Sequence, residues 1–544
     1  MTDPSGSPHA QRDDLDALFD ERTDPAGSAF ATLGQEASSE LNWIKLIRHK
    51  VRRRAMGSSR YQWWVLWSLL AGLFALNFTF TVFNVDLLKI SEEFHAKQSV
   101  ITWTTIGPVL AFGLAAPIFG KWGDVFGHRR LYIFGLLGGM VAAILTALAP
   151  NVELLIFART LDGIQGAATG TASGALLNLV FSREERVKAA GWWSLVGAGG
   201  PVIGLSLGAP IITAWGWRSL FWIQLGMLVI ACAVVATILP ARVRPEAEEE
   251  EHRIRARREF RQMDWIGSWT ISLSITALML GISIADSVGW LSWQCNLCWL
   301  FFVGLLAGFV VRINHAENPL IPPHYFKRRN FVFPMVARSA SNFAYFGAFW
   351  LSSLLLQYAY HKSPTQVGAI VIARPIVFAI ASPIAGYVAV KIGERTSAVM
   401  GSVFLVASML VFASLGATGW EIPILIALAL SGLGMGVAMP SNGATMANEV
   451  DPKEFGVMTA AQLLTGQAGQ VLGLGVLVAL QQATYNELTA HQRTSTAEVL
   501  TTFHTPFIVA ACVGCVAVAA SAMFRSLPRG HSRGDLAEAD DHAL

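Results

Sequence analysis

Apolar runs of bilayer-crossing length recur along most of this chain, and that recurrence decides what it can fold into. One helical crossing takes about 20 predominantly apolar residues. Fourteen such stretches are legible, at about 62–88, 100–120, 130–149, 152–180, 188–213, 219–240, 265–286, 296–314, 331–360, 366–391, 396–417, 421–447, 456–483 and 503–525. Within lipid every backbone N–H and C=O must be satisfied inside its own segment, so runs of this length are helices. Composition agrees: of 544 residues 53% are hydrophobic and 14% charged, where soluble domains carry about 25% charged residues. The expected fold class is an all-α polytopic membrane protein. A formal charge of +3 gives no basic surface of the kind that holds nucleic acid.

Charge placement orients the spans. Lys and Arg gather on the cytoplasmic side of short loops. With the N-terminus inside and fourteen crossings, only Lys89, Lys97, Arg218, Lys362 and Arg493 face outward. Dropping one span would reverse every later loop and spoil that partition, so both termini are expected in the cytoplasm. The first long apolar stretch begins near Tyr61, too late for a secretory leader. The reading divides the chain as follows. Residues 1–60 are a disordered tail ending in a basic amphipathic segment, which either lies on the anionic leaflet or simply orients the first span. A first six-helix half covers 61–240, a mixed-charge cytoplasmic linker 241–264, and two inserted helices with their connector 265–330. A second six-helix half covers 331–525, and a cytoplasmic tail 526–544. Cys295/Cys298 and Cys512/Cys515 have metal-site spacing in apolar surroundings, and are read as small buried packing residues.

The halves repeat each other. PVLAFGLAAPIFGKWGDVFGHRR from Pro108 aligns with PIVFAIASPIAGYVAVKIGERT from Pro375, matching Pro117 with Pro383, Gly120 with Gly386, Gly127 with Gly393 and Arg129 with Arg395. Duplicated halves of this kind are typical of secondary transporters, with the substrate site near the midplane between them.

The turn between the second and third stretches reads GKWGDVFGHRR. It resembles the G-x-L-x-D-R-x-G-R-R loop of the major facilitator superfamily, with Gly120, Lys121, Asp124, Gly127, Arg129 and Arg130 in register. Asp124 is suited to pair with arginine and to accept backbone N–H bonds at a helix start, a charge clasp releasable during rocking of the halves. In the fifth stretch GAGGPVIGLSLG sets Gly200, Gly204 and Gly208 on one face beside Pro201, where small residues admit close helix approach. It resembles the G-P-x-x-G-G motif of the antiporter branches, with Leu205 in place of a glycine. WGWRSLFWIQ, GWLSW and ENPLIPPHYFKRRNF look like connectors of the 14-span drug:proton antiporter group. That resemblance covers about residues 62–525. It implies the major facilitator fold, two pseudo-symmetric halves plus two inserted helices, and bacterial multidrug or quaternary-ammonium efflux across the inner (plasma) membrane. It also implies a proton gradient as the drive, no cofactor, no enzymatic chemistry, and a monomer meeting a lipophilic small molecule, protons and membrane lipid.

Departures from that group locate the chemistry. The first-span D-x-T-x-x-N-x-A-L-P reads here Thr79, Thr81, Asn84, Asp86, Leu87, Leu88, so the carboxylate moves seven residues, about 10 Å along the helix. The fourth-span R-x-x-Q-G becomes Arg159, Asp162, Gly163. Asp162 is the one carboxylate deep in any stretch, three residues from Arg159 and within its reach. A charge at the bilayer centre costs at least about 2.5–3.5 kcal/mol on insertion scales. Asp162, Arg159 and Asp86 are therefore proton-coupling candidates, with a permanent structural pair the other reading of Arg159 and Asp162. Thr79, Asn84, Arg338, Asn342, Phe346, Arg374, Gln462 and Gln470 are the substrate-cavity candidates. Gln462 and Gln470 can equally join helices, and Arg338 can snorkel. Three span arginines against one deep aspartate favour an anionic or neutral amphipathic cargo over a cationic one. The leading expectation is a proton-coupled exporter of lipophilic compounds working by alternating access. A dedicated exporter of an anionic lipid or metabolite, and a non-transporting membrane sensor, are the alternatives.

Overall fold

The computed structural model describes residues 60–85, 87–239, 258, 260–316, 318–490 and 495–525. The N-terminal tail with its basic segment, Asp86, most of the linker, Arg493 and the C-terminal tail lie outside the described residues. Among those described there is no strand and there are fourteen helices of 20 residues or more. They are α1 (Tyr61–Val85), α2 (Trp103–Phe126), α3 (His128–Ala147), α4 (Val152–Val180), α5 (Arg186–Trp215), α6 (Arg218–Ile238) and α7 (Trp265–Val288). Then follow α8 (Trp293–His315), α9 (Arg329–Tyr358), α10 (Ala373–Ile392), α11 (Glu394–Ala413), α12 (Glu421–Glu449), α13 (Phe455–Ala490) and α14 (Thr496–Ala522). Each falls on one of the fourteen apolar stretches. Ten are long and apolar enough to cross a membrane. The other four include α4 and α9, whose apolar character is diluted by small and charged residues, Arg159, Asp162 and Arg338 among them.

Three boundaries differ from the apolar pattern. The first stretch ends at Val85, and a short helix Leu87–Glu93 follows. The tenth begins as a separate helix, Pro364–Val371, whose start is closed by a capping box of Ser363 and Gln366. The thirteenth runs on to Ala490, with Thr484, Asn486 and Glu487 continuing a helix beyond the apolar stretch that ends at 483. The cysteines also need correcting in part: Cys295 is buried, but Cys512 and Cys515 lie on the exposed face of α14.

The internal repeat is reproduced in backbone contacts. Gly127 and Gly393 both adopt positive φ, +97° and +91°, in the turns that close α2 and α10, a conformation that costs glycine nothing. A methyl group on Gly163 of α4 would lie 2.1 Å from the Pro108 carbonyl oxygen of α2, and one on Gly432 of α12 would lie 2.3 Å from the Arg374 carbonyl oxygen of α10. Between the halves, a methyl on Gly120 of α2 would meet the Gly456 carbonyl of α13 at 2.7 Å. One on Gly386 of α10 would meet the Val187 carbonyl of α5 at 2.8 Å. Thus α2 lies against α13 as α10 lies against α5, at the end of the bundle that carries the Asp124 turn. The inserted α7 and α8 pack on each other, with α7 also against α2 and α13. Arg312 Nε clips α8 to the buried Asp264 carboxylate at the start of α7, at 2.9 Å.

Candidate functional site

Asp162 sits one turn after Arg159 in the packed part of α4. The helix is started by Asn151, whose side chain accepts from Leu154 N–H, and Gly163 holds α4 against α2, so the acid and its arginine are placed by two elements in backbone contact. Arg159 Nη1 donates to Asp162 Oδ2 at 2.7 Å, and Gln165 Nε2 donates to Oδ1 at 2.8 Å. The Arg159 guanidinium also lies over the Phe83 ring, 4.7 Å from its centroid, with Phe221 at 5.9 Å. Arg159 is only 2% exposed, whereas the Asp162 side chain keeps 18%. Gln165 Oε1 is buried without a partner, so rotation of that amide would offer a protonated Asp162 an acceptor where the ionised acid now receives a donor. The arrangement can therefore serve both protonation states. The Arg159–Asp162 pairing was legible from spacing; Gln165 was not singled out, although its i, i+3 distance from Asp162 was the available signal.

Asp124 forms the clasp that its loop suggested, by one of the two expected means. Its carboxylate accepts from the Gly456 and Val457 N–H groups at 2.7 and 3.1 Å, at the start of α13 in the opposite half. A negative charge there is favoured by the helix dipole and satisfies otherwise orphaned donors. The side-chain partner is His128, at 3.3 Å, where arginine was expected. Arg129 Nε instead donates to the Leu239 carbonyl at 2.8 Å, tying the end of α6. The reason is geometric: Gly127 ends the helix and restarts it, leaving His128 one helical turn from Asp124 on its own side.

A second clasp between the halves was not foreseen. Arg186, at the start of α5, donates to the Asn178 carbonyl, to the Ala447 carbonyl and to Asn448 Oδ1 at 3.0, 3.2 and 2.9 Å, and stacks on Phe455. Arg183 donates to the Asn448 carbonyl. Glu394, at the start of α11, accepts from Thr445 Oγ1 at 2.9 Å and Asn448 Nδ2 at 3.2 Å. Cations here cap the carbonyl end of α12, the end that helix dipoles make negative. In the sequence these arginines are indistinguishable from loop charges that merely orient spans.

The remaining candidates disperse. Thr79 is buried with its hydroxyl unpartnered; nothing is described of the Asn84 side chain. Gly200 presses α5 onto α1, where its methyl would meet Asn77 Cβ at 2.9 Å. Gly208 is buried, and the surroundings of Pro201 and Gly204 are not described. Gln462 donates to the Gly443 carbonyl at 3.1 Å and so joins α13 to α12, while Gln470 is half-buried on the same helix. Phe346 packs edge-on against Tyr345. Arg374, fully buried, donates to the Tyr345 carbonyl and stacks 3.7 Å from that ring's centroid. Arg338 lies between α9 and Gly466 of α13, and Asn342 donates back to its carbonyl at 2.8 Å. The structure does not bring Arg338 or Arg374 into contact with Arg159 or Asp162. A separate cavity of about 440 Å³, almost wholly apolar, opens between α7, α8 and the seam of the halves, lined by Pro117, Ile275, Phe309, Met335, Ala461 and Thr465 among others; no charged candidate residue reaches it.

Comparison with known proteins bears on family and fold. The family model described as Major Facilitator Superfamily matches residues 67–354 and 336–543. The chain is 26% identical to the multidrug transporter protein MdtP of Bacillus subtilis, over 71% of this chain and 69% of that one. It is 30% identical to a multidrug resistance protein B homolog of Mycobacterium tuberculosis, over 74% and 73%. Among solved structures, the proton:xylose symporter XylE bound to 6-bromo-6-deoxy-D-glucose superposes with a TM-score of 0.55 at 12% identity. That match covers 84% of this chain and 95% of the other, a likeness of fold.

Proposed function

Because this chain belongs to the Major Facilitator Superfamily, and is thus a multi-pass membrane transporter, we propose that it is a proton-coupled exporter of lipophilic or amphipathic small molecules in a bacterial plasma membrane. Both termini are then cytoplasmic, all fourteen long helices cross, and a monomer suffices, drawing on the proton gradient with no bound cofactor. Relatives named for multidrug transport and resistance support the cargo class, as does the almost wholly apolar cavity beside α8.

The observation that carries the coupling is the Arg159–Asp162–Gln165 network. It is the one deep carboxylate among the described spans, bonded at both oxygens, and it keeps partial access. Cargo or rocking that draws Arg159 away leaves Asp162 in a medium that disfavours its charge, so it takes a proton; return of Arg159 expels the proton. On this reading the Asp124 and Arg186 clasps hold the cytoplasmic ends of the halves together and close the cargo path from that side. Asp162→Asn, assayed in inverted vesicles, is expected to abolish pH-driven uptake while leaving cargo exchange in place. Undiminished pH-driven transport by that variant would remove Asp162 from the mechanism.

A further inference from the structure

Four arginines are buried among the described residues: Arg159, Arg186, Arg338 and Arg374. Burying a guanidinium is costly unless something nearby offsets the lost hydration. For three of them something does. Arg159 has the Asp162 carboxylate and the Phe83 ring. Arg186 has three oxygen acceptors and the Phe455 ring. Arg374 has the Tyr345 carbonyl, with the Tyr345 and Phe349 rings on either approach.

Arg338 is the exception. It is 6% exposed, its Nε is sealed without a partner, and among the described residues its guanidinium meets neither a carboxylate, nor a hydrogen-bond acceptor, nor an aromatic face. The Asn342 amide nitrogen, already donating to the Arg338 carbonyl, and Gly466 stand beside it; a methyl on Gly466 would lie 3.0 Å from Arg338 Nε and 3.3 Å from Asn342 Nδ2. Glycine at that position lets the guanidinium lie close against α13, and Gln462, one turn earlier on α13, is held off by the Gly443 carbonyl.

We propose that Arg338 is the anion-binding residue of the transport site, taking the carboxylate or sulfonate of an amphipathic cargo whose apolar body packs among the surrounding helices. The assignment rests on the exporter reading above and narrows its cargo to anions. A planar guanidinium with free N–H groups matches a carboxylate with two parallel hydrogen bonds, and in a water-poor site the pair is far stronger than at a surface. Arg374, by contrast, already has a carbonyl acceptor and two aromatic rings, although its Nε and Nη1 are also without a partner.

The test uses the full-length protein in nanodiscs of zwitterionic lipid and three probes of similar size: 2-naphthylacetate, its primary amide and 2-naphthylethylammonium. Wild type should bind the carboxylate about tenfold or more tighter than the amide, the value of one charge-assisted hydrogen bond, and the ammonium least. Arg338→Gln should erase the carboxylate preference while leaving amide affinity in place. Arg338→Lys should keep part of it. Gly466→Ala, which alters no charge, should weaken carboxylate binding alone, and it carries the test if the glutamine variant does not fold. Arg374→Gln should lower thermal stability and leave the carboxylate-to-amide ratio where it was. A wild type without preference, or a preference that survives Arg338→Gln, overturns the assignment. So does loss of carboxylate binding when phosphatidylglycerol is added, which would make a lipid phosphate the occupant. Flux of the same probes in inverted vesicles separates the two readings. pH-driven movement without carboxylate preference sinks only the role of Arg338. With no flux of any probe the exporter reading fails, and the equilibrium binding still judges Arg338.

Discussion

The two seams between the halves share a backbone plan and differ in their side chains. At one, Gly120 lets α2 touch the start of α13; at the other, Gly386 lets α10 touch the start of α5. Around the first, an aspartate caps an N-terminus. Around the second, two arginines cap the C-terminus of α12 beside a glutamate. The same contrast holds within the halves. Gly163 on Pro108 repeats as Gly432 on Arg374, but only the first stands next to a buried ion pair. Close packing is duplicated and charge is not, which suggests that the glycines build the frame while the unrepeated charges bias its states.

The comparison breaks most sharply if the duplicated contacts are unequal in weight. Gly163→Ala and Gly432→Ala each drive a methyl into a backbone carbonyl, and overpacking of that kind costs on the order of 3 kcal/mol. Both should depress the melting temperature of purified protein to a similar degree. Tolerance of one and not the other would mean that the pseudo-symmetry is a matter of shape and not of load.

The clasps come next. Arg186→Ala strands the Asn178 and Ala447 carbonyls and the Asn448 amide oxygen, at about 1–3 kcal/mol per buried group left unpaired. Asp124→Asn removes a charge from a helix N-terminus, worth about 1–2 kcal/mol when partly buried, but keeps an oxygen to accept. Both should shift the population toward a conformation open at that end, Arg186→Ala further. Spin-label distances across the α2/α13 and α5/α10 seams would read the shift. Equal distances in wild type and both variants would show that packing alone seals this end.

Much of this was legible in the chain itself. Lipid forbids unsatisfied backbone, so apolar length alone located all fourteen long helices, and the doubled glycine–proline pattern announced the two halves. Arg159 and Asp162 were legible because i, i+3 neighbours on a helix must meet. What failed were judgements that depend on which elements share a neighbourhood. Arg183 and Arg186 read as orienting loop charges, since nothing local shows that the end of α12 lies beside them. Arg338 and Arg374 looked alike as buried arginines; only the approach of Arg374 to Tyr345 of α9 gives one a ring and a carbonyl and leaves the other with neither. Asp124 was placed at a helix start, and its partner changed from arginine to His128 because the turn at Gly127 decides which side chain folds back.

The smallest effect lies at the opposite end of the bundle, where a charge cluster stays within one half and should not bias the gate. Glu93 accepts from Trp217 Nε1 at 2.7 Å and pairs with Arg218, which also donates to the Ala149 carbonyl at 3.1 Å. Partial burial raises the Glu93 carboxyl, and the bonds from Trp217 and Arg218 outweigh it, so the group is held below its ordinary carboxylate value. A carboxylate depressed in the folded state stabilises above its unfolded pKa, and that contribution fades as pH falls through the folded value. With its side chain 42% exposed, solvent screens the pair to about 0.2–1 kcal/mol. Glu93→Gln should therefore melt slightly lower than wild type at pH 7, and the gap should close on acidification below the ordinary glutamate range. Seam distances should not move at any pH; if they did, the two ends of the bundle would be coupled through the first half, and the division between frame and gate drawn from the seams would have to be given up.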